Sequence, residues 1–175
     1  DLEGNCVDGS TQRPYGERFI HGAIMESRPD VNSVVHNHSL SVIPFGVTGT
    51  PLQPIIHTGA AIGRDIPIWD IYDNFGDTDL LVRNMDHGRD LAKCLDQSTV
   101  ILMRGHGCSV VGKHTKGATI AAVYLQISAS IQLQSMPLGK VRYLTDGEID
   151  NCTELFYSDL SMDRVWENLG SRVSR

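Results

Sequence analysis

The sequence has no Cys-x-x-Cys pair, no run of basic residues, and no apolar stretch approaching the roughly 18 residues that a membrane span needs. Each absence excludes a class of protein. Lys and Arg total 15 against 21 Asp and Glu, a net charge of −6, so neither nucleic acid nor an anionic membrane is expected as a partner. Cys6, Cys94, Cys108 and Cys152 are scattered, which suits reduced thiols in a cytoplasmic enzyme better than a disulfide framework. The opening Asp1-Leu2-Glu3-Gly4-Asn5 does not read as a signal peptide. What is present is ordinary for a soluble chain, with 41% hydrophobic and 21% charged residues. A single domain over residues 1–175, long enough for a sizeable core, is expected.

Helical and strand patterns alternate without repeats. Apolar spacing predicts helices over 17–27, 79–95 and 116–135, the last with Ala121, Tyr124, Ile127, Ile131 and Gln134 near one stripe. Arg28-Pro29 stops the first. β-Branched runs predict strands at 33–38, 99–103 and 108–111, with strand approaches at 51–57 and 66–69. A short apolar segment covers 40–45, and 146–175 reads as a peripheral helical region.

The most informative feature is His36-Asn37-His38 at the end of the Ser33-Val34-Val35 run. Alternate strand residues share a face, so the two imidazoles point the same way, about 7 Å apart at Cα. Two imidazoles can converge on one metal if a third ligand joins them. His106, in the Gly-flanked turn Arg104-Gly105-His106-Gly107 after a strand, is the best candidate. Three neutral imidazoles with an open fourth position form the pattern of a catalytic metal site. They suit zinc, manganese, iron or cobalt, so one divalent ion per subunit is expected. A carboxylate beside such a metal serves as a ligand or a proton shuttle. Glu17 opens the helix that precedes the metal strand, but by spacing alone Glu26 and Asp30 are equally close. Of the other histidines, His21 reads as structural, and His87 and His114 as solvated.

In combination, Glu17-Arg18-Phe19-Ile20-His21, Val35-His36-Asn37-His38, Ile56-His57, Asn74-Phe75-Gly76-Asp77-Thr78 and Arg104-Gly105-His106-Gly107 resemble the class II aldolase/adducin family. The likeness runs from about Glu17 to Gln134. It implies a three-layer α/β/α sandwich around a mostly antiparallel sheet, a divalent metal on His36, His38 and His106, and Glu17 as the catalytic acid/base. It also implies a homotetramer with its sites at subunit boundaries. Adducin-type members lose the metal histidines, so this chain's three favour catalysis over a non-catalytic scaffold. The N-terminal part of the family domain, with its phosphate loop, corresponds to sequence upstream of Asp1.

Two departures from the family's sugar-phosphate aldolases bear on substrate. Tyr15-Gly16 stands where those enzymes carry a phosphate-holding Ser-Ser pair. Thr58 follows His57 where they carry a proton-donating Tyr, and a threonine hydroxyl is far too weak an acid for that task. Tyr143 or Tyr157 could replace the missing donor. Tyr15, Arg18, Thr48, His57 and Arg104 are the candidate substrate contacts, with Val42 to Thr48 as a further wall of the site. Such a wall suits a flat hydroxylated ring bearing carboxylates, and it resembles the family branch that decarboxylates hydroxylated aromatic or pyridine dicarboxylates. In that chemistry a C–C bond breaks to leave a carbanion or enolate, and a metal acts as Lewis acid toward the charge. The expectation is therefore a metal-dependent carbon–carbon lyase, a decarboxylase first. An aldolase or dehydratase acting on a small hydroxy-keto compound is the alternative, and a non-haem iron oxygenase on the same three histidines is another.

Overall fold

The computed structural model describes residues 1–173. One mixed sheet has the strand order β1-β4-β3-β2. β4 (Gly107–Gly112) runs antiparallel to both β1 (Ser33–Asn37) and β3 (Val100–Met103), while the short β2 (Ile68–Trp69) runs parallel to β3. The sheet is mostly antiparallel, as the resemblance implies, with one parallel edge.

The side-chain alternation of β3 and β4 divides the core into two layers. Ile101, Met103 and Val111 face a cluster built with α1 (Arg18–Ser27) and α4 (Met85–Leu95), including Ile20, Ile24 and Leu91. Val100, Leu102, Cys108 and Val110 face the opposite way, against Phe45 of α2 (Ile43–Thr48) and Leu125 of α5 (Thr115–Ser135). Helices thus cover both faces, as the resemblance implies. Burial pushes the Cys108 thiol up to about 12, so it stays protonated and inert at neutral pH.

Several local expectations are corrected. Residues 51–57 form no strand. Pro51 and Pro54 have no N–H for a ladder, and the fully buried Gln132 holds this stretch instead, donating to the Pro51 carbonyl at 2.8 Å and accepting from the Gln53 N–H at 3.2 Å. A 3-10 helix follows at His57–Ile62. The helix expected from 79 starts only at Met85, because Asn84 caps it by accepting the His87 N–H at 2.9 Å. The buried stripe of α5 is Gly117, Ala121, Leu125, Ser128 and Gln132, not the one through Ile127 and Gln134; Ile127 is 39% exposed. The small α3 (Tyr72–Phe75) was not anticipated. The C-terminal region is helical as expected, in α6 (Asp146–Phe156) and α7 (Asp159–Val173), with a Thr145–Glu148 capping box opening α6.

Candidate metal centre

Val34 packs into the cluster under α1 and α4, so the strand alternation turns His36 toward the same side. Glu17, at the start of α1, meets it there. The Glu17 Oε2 lies 3.5 Å from His36 Nε2, and its Oε1 lies 3.4 Å from His106 Nε2. His38 follows β1 directly, and its Nε2 is 2.9 Å from that of His106. Donor atoms from these four residues all lie within 4.8 Å of one another. The side chains of His36 and His106 are 2% and 6% exposed, whereas His38 sits at the solvent side.

Main-chain groups aim the rings. The His36 Nδ1 lies 3.0 Å from the Cys108 carbonyl, and the His106 Nδ1 lies 2.8 Å from the Leu80 carbonyl. A carbonyl can only accept, so those partners place each proton on Nδ1 and leave each Nε2 lone pair facing the cluster. Burial pushes the His36 imidazole down to about 4 against the opposing pull of Glu17, which keeps it neutral at physiological pH.

The His36 Nε2 is buried and has no hydrogen-bond partner among the described residues. Such an orphan costs about 1–3 kcal/mol unless something coordinates it. A tetrahedral cation with bonds near 2.0–2.1 Å sets neighbouring donors about 3.3 Å apart. The observed separations of 2.9, 3.4 and 3.5 Å fall around that value. Three imidazole nitrogens with a carboxylate beside them therefore suit a divalent cation.

The glycines around His106 also have a reason. Gly105 takes φ +65, and a Cβ on Gly107 would lie 2.3 Å from the Asn37 carbonyl oxygen and 3.0 Å from the His38 ring. The turn can bring His106 to the β1 end only without side chains there.

The other expected site residues are distributed unevenly. The Tyr15 hydroxyl donates to Glu17 Oε2 at 3.3 Å, so it joins the cluster at its exposed edge. Burial and the neighbouring carboxylate both raise its phenol above the usual value. Arg18 is committed to the backbone, donating to the Gly4 carbonyl at 2.6 Å and the Tyr15 carbonyl at 3.0 Å while stacking on Phe19. Arg104 pairs with Asp70. Thr48 donates to the Pro44 carbonyl at 2.9 Å at the end of α2. Val42 and Phe45 belong to the α5 layer, across the sheet from His36, and do not wall the cluster. His57 lines a groove with Tyr124 and Phe156 instead of joining the histidine cluster. Tyr157 bonds to the Ala61 carbonyl and Tyr143 accepts from Gln132, so neither takes the donor role within the chain's own cluster. His114 is not simply solvated, since it caps α5 by accepting the Gly117 N–H at 2.9 Å; the His87 ring packs at a tilt against Phe75. Sequence reasoning missed Leu80 and Val82, which act through backbone atoms that no motif encodes.

A sheet covered on both faces, with three imidazoles and one carboxylate gathered at the end of β1, defines an α/β protein with a side-chain cluster able to hold a divalent metal ion. Residues 1–133 match the Class II Aldolase and Adducin N-terminal domain, and the chain belongs to that family. It is 38% identical over 156 residues to Decarboxylase tropJ of Talaromyces stipitatus, a match covering 83% of this chain and 59% of that protein's length. It is 25% identical to the 3,4-dihydroxyphthalate decarboxylase of Arthrobacter keyseri, covering 99% of this chain and 71% of the relative. The aldolase II superfamily protein from Pseudomonas syringae superposes with a TM-score of 0.76 at 21% identity, over 100% of this chain and 70% of that one. At that identity the likeness establishes the fold alone.

Proposed function

We propose that this chain carries the metal centre of a carbon–carbon lyase that decarboxylates a hydroxylated aromatic or heteroaromatic carboxylic acid. The observation that carries the reading is the buried His36 Nε2, without a hydrogen-bond partner among the described residues, within 4.8 Å of donor atoms of His38, His106 and Glu17. Two relatives named as decarboxylases support it, as does Tyr15-Gly16 in place of a phosphate-holding Ser-Ser pair.

A divalent ion held by the three histidines would supply Lewis-acid stabilisation of negative charge on substrate oxygens. The residues do the rest. The bond from ring to carboxylate breaks, its electron pair stays with the ring, and carbon dioxide leaves. Glu17, with a proton on Oε2, then protonates the ring carbon. A proton from solvent then returns to Glu17 through the Tyr15 hydroxyl, 3.3 Å from Oε2 on an exposed side chain, which takes one proton from water as it gives one up. The His36 and His106 rings hold their orientation throughout because a main-chain carbonyl holds each Nδ1.

The reading includes zinc, manganese, iron or cobalt as the ion, a cytoplasmic setting, a role in aromatic catabolism, and a homotetramer with sites at subunit boundaries. The exposed side of α5 next to His38 offers Thr119, Ala122, Val123 and Ile127 as a small, apolar packing face. In such an assembly His57 and Thr58 serve a neighbour's site. The test is product analysis with a panel of hydroxylated aromatic dicarboxylates under manganese, zinc and iron. The expected product has lost one carboxylate as carbon dioxide. Cleavage or dehydration of a small hydroxy-keto compound in preference would support the aldolase or dehydratase reading instead, and oxygen consumption with iron the oxygenase.

A further inference from the structure

We propose that the loop 78–82, between α3 and α4, sets the donor geometry of the metal centre, with Leu80 as its positioning residue. This rests on the cluster holding a metal and not on which reaction it performs. Leu80 takes φ +64, a left-handed conformation that only Asp96 shares among the described non-glycine residues. That conformation turns its carbonyl onto His106 Nδ1 at 2.8 Å. Two residues on, the Val82 N–H donates to Glu17 Oε1 at 3.4 Å. One short loop therefore contacts two of the four metal-facing side chains through its backbone.

The loop is held in that shape locally. The Thr78 hydroxyl oxygen accepts the Leu80 N–H at 3.1 Å, and the Asp79 carboxylate accepts the Leu81 N–H at 3.2 Å while pairing with Arg83. The Leu80 side chain lies against Gly105, close enough that a Cβ there would sit 3.4 Å from it, and packs on the core beneath α1 and α4. Backbone carbonyls that hold a ligating imidazole fix its tautomer and angle, and losing them weakens metal binding about 10- to 100-fold. Nothing in the chemistry of a leucine side chain would suggest this role. It follows from where the carbonyl points.

The metal-free protein is titrated with cobalt(II), following affinity and visible absorption, and wild type is compared with Leu80→Ile and Leu80→Asn. Isoleucine matches leucine in volume but, being β-branched, resists positive φ; asparagine tolerates it. Leu80→Ile is expected to bind about 10- to 100-fold more weakly, with an altered cobalt spectrum, while Leu80→Asn stays close to wild type. Wild-type affinity and spectrum in both variants would overturn the proposal. Equal losses in both would also overturn it, since side-chain packing and not the carbonyl would then be responsible. If Leu80→Ile does not fold, Thr78→Val removes the acceptor of the Leu80 N–H and is read by the same titration; unchanged binding there counts against the proposal. A wild type that binds no cobalt sinks the metal-centre reading itself, a different result from wild-type binding that the variants share.

Discussion

His36 has its Nδ1 on the Cys108 carbonyl, and among the described residues its Nε2 has no hydrogen-bond partner, with the Glu17 carboxylate 3.5 Å away, so its chemistry is decided by what binds at Nε2. Replacing His36, His38 or His106 by alanine should abolish metal binding in each case while leaving a folded protein, measured by metal content and circular dichroism. Stoichiometric metal in the His106 variant would remove that residue from the ligand set. Glu17→Gln should retain the metal and lose turnover by about 10²-fold or more, the scale of a positioned acid/base; an unchanged rate moves that role elsewhere. The three histidines were legible because strand alternation and a Gly-flanked turn have sequence signatures. Glu17 was singled out by resemblance, since spacing left Glu26 and Asp30 equal to it. Leu80 and Val82 were not legible, because every residue carries the same carbonyl and N–H.

Glu17 owes its position to how α1 lies on α4. The contact is close at Gly88, where a Cβ would come 2.5 Å from the Phe19 carbonyl oxygen and 2.9 Å from the Ala23 side chain. Gly88→Ala should therefore destabilise the fold by about 1–3 kcal/mol, the range for overpacking a tight contact, and should also weaken metal binding by shifting Glu17. Urea unfolding with a parallel metal titration checks both; lost stability with unchanged affinity would separate helix packing from the site. Beyond the other end of α1, the Arg28 guanidinium holds the Asp30 carboxyl at about 2, below its usual 3.8. Its folded value being depressed, that stabilisation is present above about pH 4 and disappears as pH falls through about 2. Asp30→Asn should flatten this acid limb slightly in urea midpoints taken across pH, the pair being exposed. Acid limbs of equal slope would contradict it. The main helices were legible from apolar spacing, but the start of α4 and the buried stripe of α5 were not. A capping Asn84, and the buried polar side chains of Gln132 against residues 51–53 and Ser128 beside Gly59, decide those, and apolar periodicity does not register either.

At the scale of the molecule, the sandwich was legible because helix and strand patterns alternate, and the parallel edge strand β2 was not, being only two residues long. Assembly leaves a different kind of trace. If His57 serves a neighbour's site, mixing inactive His36→Ala chains with inactive His57→Ala chains should restore partial activity as mixed oligomers form. No recovery, with mixed oligomers confirmed, would return His57 to its own chain. A site closed between subunits would keep bulk water from quenching a carbanion wrongly, so activity should also track the tetramer fraction on dilution. The most direct measurement is carbon dioxide release from a hydroxylated aromatic dicarboxylate in deuterated water, with and without added divalent metal. The account predicts metal-dependent release, one deuterium on the ring carbon that lost its carboxylate, and no release by the His36→Ala protein. Release at the same rate without metal, or by the His36→Ala protein, would contradict it.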